Sequence, residues 1–142
     1  MQLEAAVYRK KTEIPEELVD DSTEVNPVTG EVTSRHWHIP DADRFACGYR
    51  LGSEKYIANC RKEIQSLLVS RGVAAPVLLD KLLGPEANAG DVLRLKDVHT
   101  LRRELTLLNQ NRKLSADIRE LVGRLNRLSD AAIEHQNPIV LI

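Results

Sequence analysis

The sequence has few aromatic residues, and all of them lie within its first 56 positions. Phe, Trp and Tyr make up 4% of the 142 residues, and the 86 residues after Tyr56 contain none. A long segment rich in Leu, Arg, Glu and Ala is typical of helices that pack through narrow aliphatic seams. We therefore expect the aromatic-anchored part of the protein in the first third of the chain.

Long apolar runs are also missing. No stretch approaches the roughly 18 apolar residues that a membrane span requires, and the start, MQLEAAVYRKKTEIPEEL, has no signal-peptide core. Apolar residues still make up 42% of the chain, which is enough for a core. The two cysteines are expected to be reduced thiols. These features predict a soluble, cytoplasmic protein with no membrane partner.

The motifs of common enzyme classes are absent as well. The sequence contains no glycine-rich phosphate loop, no dinucleotide-binding fingerprint and no local signature of a cysteine hydrolase. Acidic pairs such as Asp20-Asp21 are more typical of solvated loops and helix caps. We therefore predict no catalysis, no cofactor and no small-molecule substrate.

The net charge of −1 conceals an asymmetry along the chain. Residues 1–52 carry six Lys/Arg against ten Asp/Glu, residues 53–91 carry five of each, and residues 92–142 carry nine against six. The acidic front and basic back are expected to attract each other, within one chain or between copies.

Residues 1–52 are predicted to form a small β-rich region. LEAAVYRK alternates like a strand, and VNPVTGEVTSRHWHIP resembles a β-hairpin closed by a turn at Gly30. If that second strand continues to Pro40, Trp37 and Ile39 share its buried face. Cys47, in FACGYRLG, is expected in a turn.

Residues 53–142 are predicted to be helical, with helices at about 54–70, 76–83 and 92–135. Ser53 is a suitable N-cap for the first, and the GPEANAG stretch at 84–90 is expected to be a loop or hinge. The apolar tail, HQNPIVLI, is expected to be tied down, either as a strand on a sheet edge or over the end of the helices.

The leucines of 92–135 change heptad phase at NQNRK, residues 109–113. Either the helix is continuous through this point, or the chain turns and Ser115 caps a second helix that folds back. The absence of Gly and Pro slightly favours a continuous helix in which Asn111 fixes the register of a paired coil. The apolar stripe needs a partner, which is helix 54–70 or a second copy of the chain. The predicted interface consists of Leu101, Leu105, Leu108, Asn111, Leu114, Ile118, Leu121, Leu125 and Leu128.

Two candidate chemistries rest on His36, His38, Cys47 and Cys60. The four residue types suit a tetrahedral zinc site, but their spacing lacks the usual close cysteine pair. Cys60 also falls on the apolar stripe of its predicted helix, where a thiol packs as a small hydrophobe. A Cys47–histidine nucleophile has no carboxylate at a recognisable spacing to orient it. We therefore predict no metal site.

Taken together, the patterns predict an α+β protein in which a small N-terminal antiparallel β element precedes a long C-terminal coiled-coil-like helix or helical hairpin. The expected function is that of an adaptor or assembly protein that binds itself or another protein. The alternative is a nucleic-acid-binding regulator, although its basic residues are interleaved with acids. The basic face of that alternative comprises Arg102, Arg103, Arg112, Lys113, Arg119, Arg124 and Arg127.

Overall fold

The structure is a computed structural model that describes residues 2–110 and 113–142. It has the predicted α+β fold, in which an antiparallel sheet is combined with a helical region. The strands are β1 (Gln2–Tyr8), β2 (Glu24–Val25), β3 (Val32–Thr33), β4 (Phe45–Ser53), β5 (Val92–Leu93) and β6 (Ile139–Leu141). The helices are α1 (Asp41–Arg44), α2 (Glu54–Val69), α3 (Leu95–Asn109) and α4 (Ala116–His135), with a π-helical segment at Val77–Leu82 and 3-10 turns at Lys11–Glu13 and Glu16–Leu18. None of the helices formed by the described residues is long and apolar enough to cross a membrane.

The main sheet joins both ends of the chain. Its strand order is β4-β1-β6-β5, and every neighbouring pair is antiparallel. The apolar tail forms β6, which lies between β1 and β5, with Ala5 opposite Leu141 and Val92 opposite Val140. Of the two alternatives for the tail, the structure shows a strand in the sheet, although this strand lies inside the sheet and not at its edge.

Strand β4 was not anticipated from the sequence. The prediction that Cys47 lies in a turn is wrong, because Cys47 is part of a nine-residue strand that pairs with β1. Alternate residues of this strand, Cys47, Tyr49 and Leu51, pack against the main core. Gly48 and Gly52 interrupt the apolar pattern and resemble turn signals in the sequence.

The β2–β3 hairpin is present but shorter than predicted. Gly30 adopts φ +80°, which confirms the turn expected there. The strand was expected to continue to Pro40, and this prediction is wrong, since β3 ends at Thr33. Trp37 is 38% exposed and its indole N–H donates to the carbonyl of Leu18 at 3.1 Å. Its expected burial is therefore also wrong.

A small apolar cluster stabilises the part of the chain between β1 and β4, which we call the N-terminal lobe. It consists of Ile14, Val32 and Ile39, so the predicted burial of Ile39 is confirmed. The lobe is linked to the end of α4, where His135 Nδ1 lies 2.6 Å from Glu13 Oε2.

Helix α2 follows the prediction closely. The Ser53 side chain accepts a hydrogen bond from the backbone N–H of Tyr56, which makes Ser53 the N-cap. Ile57, Cys60 and Ile64 form its buried stripe. The short helix predicted at 76–83 is the π-helical segment, in which the N–H of Leu83 donates to the carbonyl of Leu78.

The region 92–135 is a helical hairpin, so the slightly favoured continuous helix is wrong. Helix α3 ends at Asn109, and Ser115 caps α4 by accepting from the N–H of Ile118. The Arg102–Asp130 ion pair at 2.7 Å joins the two antiparallel helices. The phase change therefore falls between two separate helices that pack against each other. Asn111, the predicted register residue, lies outside the described residues.

The two predicted regions, 1–52 and 53–142, share one hydrophobic core. That core combines Val7 and Leu51 from the first region with Ile64, Leu105 and Leu125 from the second. The helices cover one face of the sheet, and residues of β6 join the same core.

Glu104 is a buried carboxylate that supports the π-helical segment. It is 4% exposed and accepts hydrogen bonds from the backbone N–H groups of Val77 and Leu78, the latter at 2.8 Å. Burial raises the pKa of Glu104, and the two N–H donors oppose this effect only in part. This side chain positions the segment whose end forms a wall of the site described below.

We expect Leu121→Ala to lower the free energy of unfolding by about 2–5 kcal/mol, because it leaves a cavity in the core. The urea midpoint should not depend on protein concentration, since the partners of Leu121 lie in the same chain. The matched control is Leu107→Ala, at an exposed position of α3, where the change should stay within about 0.5 kcal/mol. A urea midpoint that rises with protein concentration would indicate that the buried leucines of α3 and α4 pack between two copies of the chain.

We expect the stabilising effect of Glu104 to decrease with rising pH. Because its pKa is higher in the folded state than the ordinary 4.5, the folded chain binds the proton more tightly. The free energy of unfolding of the wild type minus that of Glu104→Gln should therefore decrease as the pH rises from 4.5 through the raised pKa of Glu104. Urea titrations of both proteins across this range measure the difference, and a difference that grows with pH contradicts the assignment.

Candidate functional site

A cavity of about 470 Å³ opens where four distant parts of the chain meet. Its walls come from the start of β1, from α2, from the loop at 83–89 and from the last residue, Ile142. We call this cavity the α2 groove. It is lined by Gln2, Leu3, Glu54, Ile57, Ala58, Arg61, Leu83, Gly84, Pro85, Ala87, Asn88, Ala89 and Ile142.

One face of α2 forms the long wall of the groove. Glu54, Ile57, Ala58 and Arg61 are spaced at i, i+3, i+4 and i+7, which places them on one side of a helix. The carboxylate and the guanidinium residues are seven positions apart, or roughly 10.5 Å along the axis. Between these two charged residues the wall is apolar.

The facing wall is a loop with a defined shape. A Cβ on Gly84 would clash with the carbonyl oxygen of Asp80, so only glycine fits there. The N–H of Ala87 donates to Gly84 O, and the N–H of Asn88 donates to the Asp91 carboxylate at 2.8 Å. The segment that was predicted to be a loop or hinge is therefore held by its own hydrogen bonds.

Two residues in the middle of the π-helical segment hold the side chain of Arg61. The Nε of Arg61 donates to the carbonyl of Leu79 at 3.1 Å, and the Nη2 of Arg61 lies 4.0 Å from Asp80 Oδ1. The side chain keeps 31% of its surface exposed. Since a guanidinium carries five N–H donors, Arg61 retains donors for an anionic group in the groove.

The residues that line the groove are mostly apolar, with a few polar side chains among them. They include one carboxylate, one guanidinium and two amides, with no thiol, hydroxyl or imidazole side chain. A nucleophile with a base within reach, the arrangement that covalent catalysis requires, is not present among them. The groove therefore offers an apolar surface with a few polar groups that can orient a ligand.

The two cysteines considered for zinc lie at the main core, and the two histidines, His36 and His38, lie in the N-terminal lobe. Cys60 belongs to the buried stripe of α2 and Cys47 packs beside the same core from β4, and both are free thiols. His36 lies in the N-terminal lobe, 2.8 Å from Asp20. Across residues 2–110 and 113–142, no three His, Cys, Asp or Glu residues come together in a group that could hold a metal ion.

The Cys47–histidine nucleophile is not supported by the environment of the thiol. Burial raises the pKa of Cys47, and the nearby Tyr49 and Arg127 lower it only in part. His36 Nδ1 lies 2.8 Å from Asp20 Oδ2. Hydrogen bonds from Ser22 and from His36 lower the pKa of Asp20 to about 2.

The predicted interface leucines are brought together inside the chain. All described members of the set are buried in the main core, namely Leu101, Leu105, Leu108, Leu114, Ile118, Leu121, Leu125 and Leu128. Their partners are the other helices and the sheet. This seam is therefore not available on the surface of the folded chain.

Several of the basic residues that were predicted to contact nucleic acid make contacts within the chain instead. Arg102 pairs with Asp130, Arg103 donates to Thr100, and Arg124 donates to the carbonyl of Arg50. The guanidinium of Arg127 lies over the Tyr49 ring, 5.4 Å from its centroid. Arg119 and Lys113 are exposed, and Arg112 lies outside the described residues.

The groove itself was not predicted from the sequence. The apolar stripe of α2 was recognised through Ile57, but Ala58 and Arg61 were not singled out. The GPEANAG loop was the one sequence signal close to the site, since it marks a chain reversal between apolar segments.

Comparisons with models of protein families, with curated proteins and with solved structures give no match for this chain.

Proposed function

We propose that the protein is a non-catalytic, cytoplasmic adaptor or assembly protein, and that the α2 groove receives an apolar segment of a partner protein. The groove carries the proposal, because it combines about 470 Å³ of space with an apolar surface and two charged residues. Both cysteines are free thiols, as is usual in a reducing compartment.

The groove is a better candidate than the leucine seam predicted from the sequence. The seam residues have their partners inside the chain, whereas Ala58 and Ile142 are exposed at the groove. Binding at the groove therefore needs no rearrangement of the core.

The outer edge of β4 is a weaker candidate, because it is partly blocked. The N–H of Ile142 donates to Glu4 O, so the backbone groups of Glu4 point towards β6 and those of its β4 partner, Arg50, point outward. The outward carbonyl of Arg50 is occupied by Arg124 at 2.8 Å. Two register shifts also interrupt the regular pairing of β4 with β1, and such irregularities are one way in which natural sheets avoid edge pairing.

Selection from a random peptide library displayed on phage tests the proposal and does not require that the partner be identified first. We expect apolar peptides to be enriched on the wild-type protein. Their affinity should fall at least about tenfold, or ~1.4 kcal/mol, for Ala58→Trp, because the indole fills the groove.

The matched control is Ser66→Trp, which places the same side chain at an exposed position of α2 that does not line the groove. This variant should bind the selected peptides like wild type. Circular dichroism establishes that both variants are folded. Failure to enrich any peptide, or equal binding of the peptides to both variants, contradicts the proposal.

A further inference from the structure

The buried carboxyl group of Glu104 is connected to the α2 groove through the π-helical segment. Its Oε1 accepts a hydrogen bond from the backbone N–H of Leu78 at 2.8 Å, and its Oε2 accepts from that of Val77 at 3.4 Å. These two residues begin the segment, and the segment leads directly into Leu83, which lines the groove. Glu104 therefore holds the beginning of an element whose end is a wall of the groove.

The middle of the same segment holds a charged residue of the other wall. Arg61 lines the groove from α2, and its Nε donates to the carbonyl of Leu79 at 3.1 Å. Its Nη2 lies 4.0 Å from the carboxylate of Asp80. A displacement of the segment would therefore change the position of Arg61 as well as that of Leu83. Both walls depend on where one short element lies.

The surroundings of Glu104 favour the neutral carboxyl group over the carboxylate. The residue is 4% exposed, and burial, which is the largest effect, raises its pKa. Two charged side chains act on it: Arg103 from α3 itself favours the carboxylate, and Asp80 from the π-helical segment opposes it. Ionisation of Glu104 therefore favours an opening of the segment that admits water to the carboxylate.

The protonated carboxyl group keeps the shorter of the two hydrogen bonds. A proton on Oε2 leaves Oε1 able to accept from the N–H of Leu78, and it weakens only the longer contact with Val77. The neutral form of Glu104 thus removes the cost of a buried charge and retains the main anchor of the segment.

We propose that Glu104 is a positioning residue that makes the α2 groove sensitive to pH, because its protonated form holds the π-helical segment in place and its ionised form loosens both walls. This inference rests on the proposed function and adds a means of regulating the same groove. Since coupling between two sites is reciprocal, an apolar segment that binds the ordered groove and the proton on Glu104 should favour each other. Binding should therefore weaken as the pH rises.

Solvent exchange of the Arg61 Nε–H, followed by NMR, measures the order of the walls without a ligand. The Nε–H of Arg9 is the internal reference, because it also donates to a backbone carbonyl at 3.1 Å, that of Phe45. The ratio of the two rates removes the effect of pH on exchange chemistry that both groups share. From pH 4.5 upward, exchange at Arg61 relative to Arg9 should accelerate at least about threefold in the wild type.

Two variants show whether Glu104 causes this response. Glu104→Gln retains an oxygen for the N–H of Leu78 and cannot ionise, so its ratio of rates should stay constant with pH. The matched control is Asp97→Asn, which removes another carboxylate of α3 that contacts the same segment, through Lys81 at 3.0 Å. This control should keep the response of the wild type. Circular dichroism establishes that both variants are folded.

The affinity of the library-selected peptides gives the second readout, with peptides that carry no titratable side chain. Over the same pH range their affinity for the wild type should fall at least about threefold, and their affinity for Glu104→Gln should not change.

The failures of the two proposals can be distinguished. If the Arg61 ratio does not respond to pH, falls with rising pH, or responds equally in Glu104→Gln, the role of Glu104 is overturned whatever the peptides do. If peptide affinity changes equally in both proteins, the coupling is overturned and the proposed function stands. If no peptide is selected, the proposed function is overturned, and the Arg61 ratio still decides whether Glu104 controls the walls.

Discussion

The insertion of β6 between β1 and β5 is the constraint on which the rest of the structure depends. It joins the two ends of the chain through the hydrogen bonds of Leu141 to Asp91 and of Ile142 to Glu4. A strand in this position has neighbours on both sides, and its alternate residues, Ile139 and Leu141, enter the core beneath the helices. The sheet therefore cannot be complete until α4 has returned the chain to the N-terminal strand.

The helical hairpin is the element that makes this return possible. Ser115 caps the start of the second helix, and the Arg102–Asp130 pair lies across the two helices. Because both leucine stripes face the core, burial of Leu105 and Leu125 stabilises the hairpin and the sheet together. The α2 groove depends on the same pairing, since residues of β1 and Ile142 form walls of the groove beside α2.

Local sequence signals predicted the elements whose patterns are regular. The alternation of LEAAVYRK predicted β1, the Ser53 cap and apolar stripe predicted α2, and the phase change at 109–113 correctly raised the alternative of a hairpin. Strand β4 was missed because Gly48 and Gly52 interrupt its alternation, although both fit the strand as it is built. The groove could not be predicted, because Leu3, Arg61, Ala89 and Ile142 meet only after the non-local pairing of β1 with β6.

The most direct test of this account is native-state hydrogen exchange at the Leu141 amide, compared with the amide of Leu125 in α4. If β6 is an integral strand of one core, both amides should exchange only through global unfolding. They should then give the same opening free energy and the same dependence on low concentrations of denaturant. Exchange of Leu141 at a much lower opening free energy than Leu125, through local fraying of the tail, would contradict the central place given to β6.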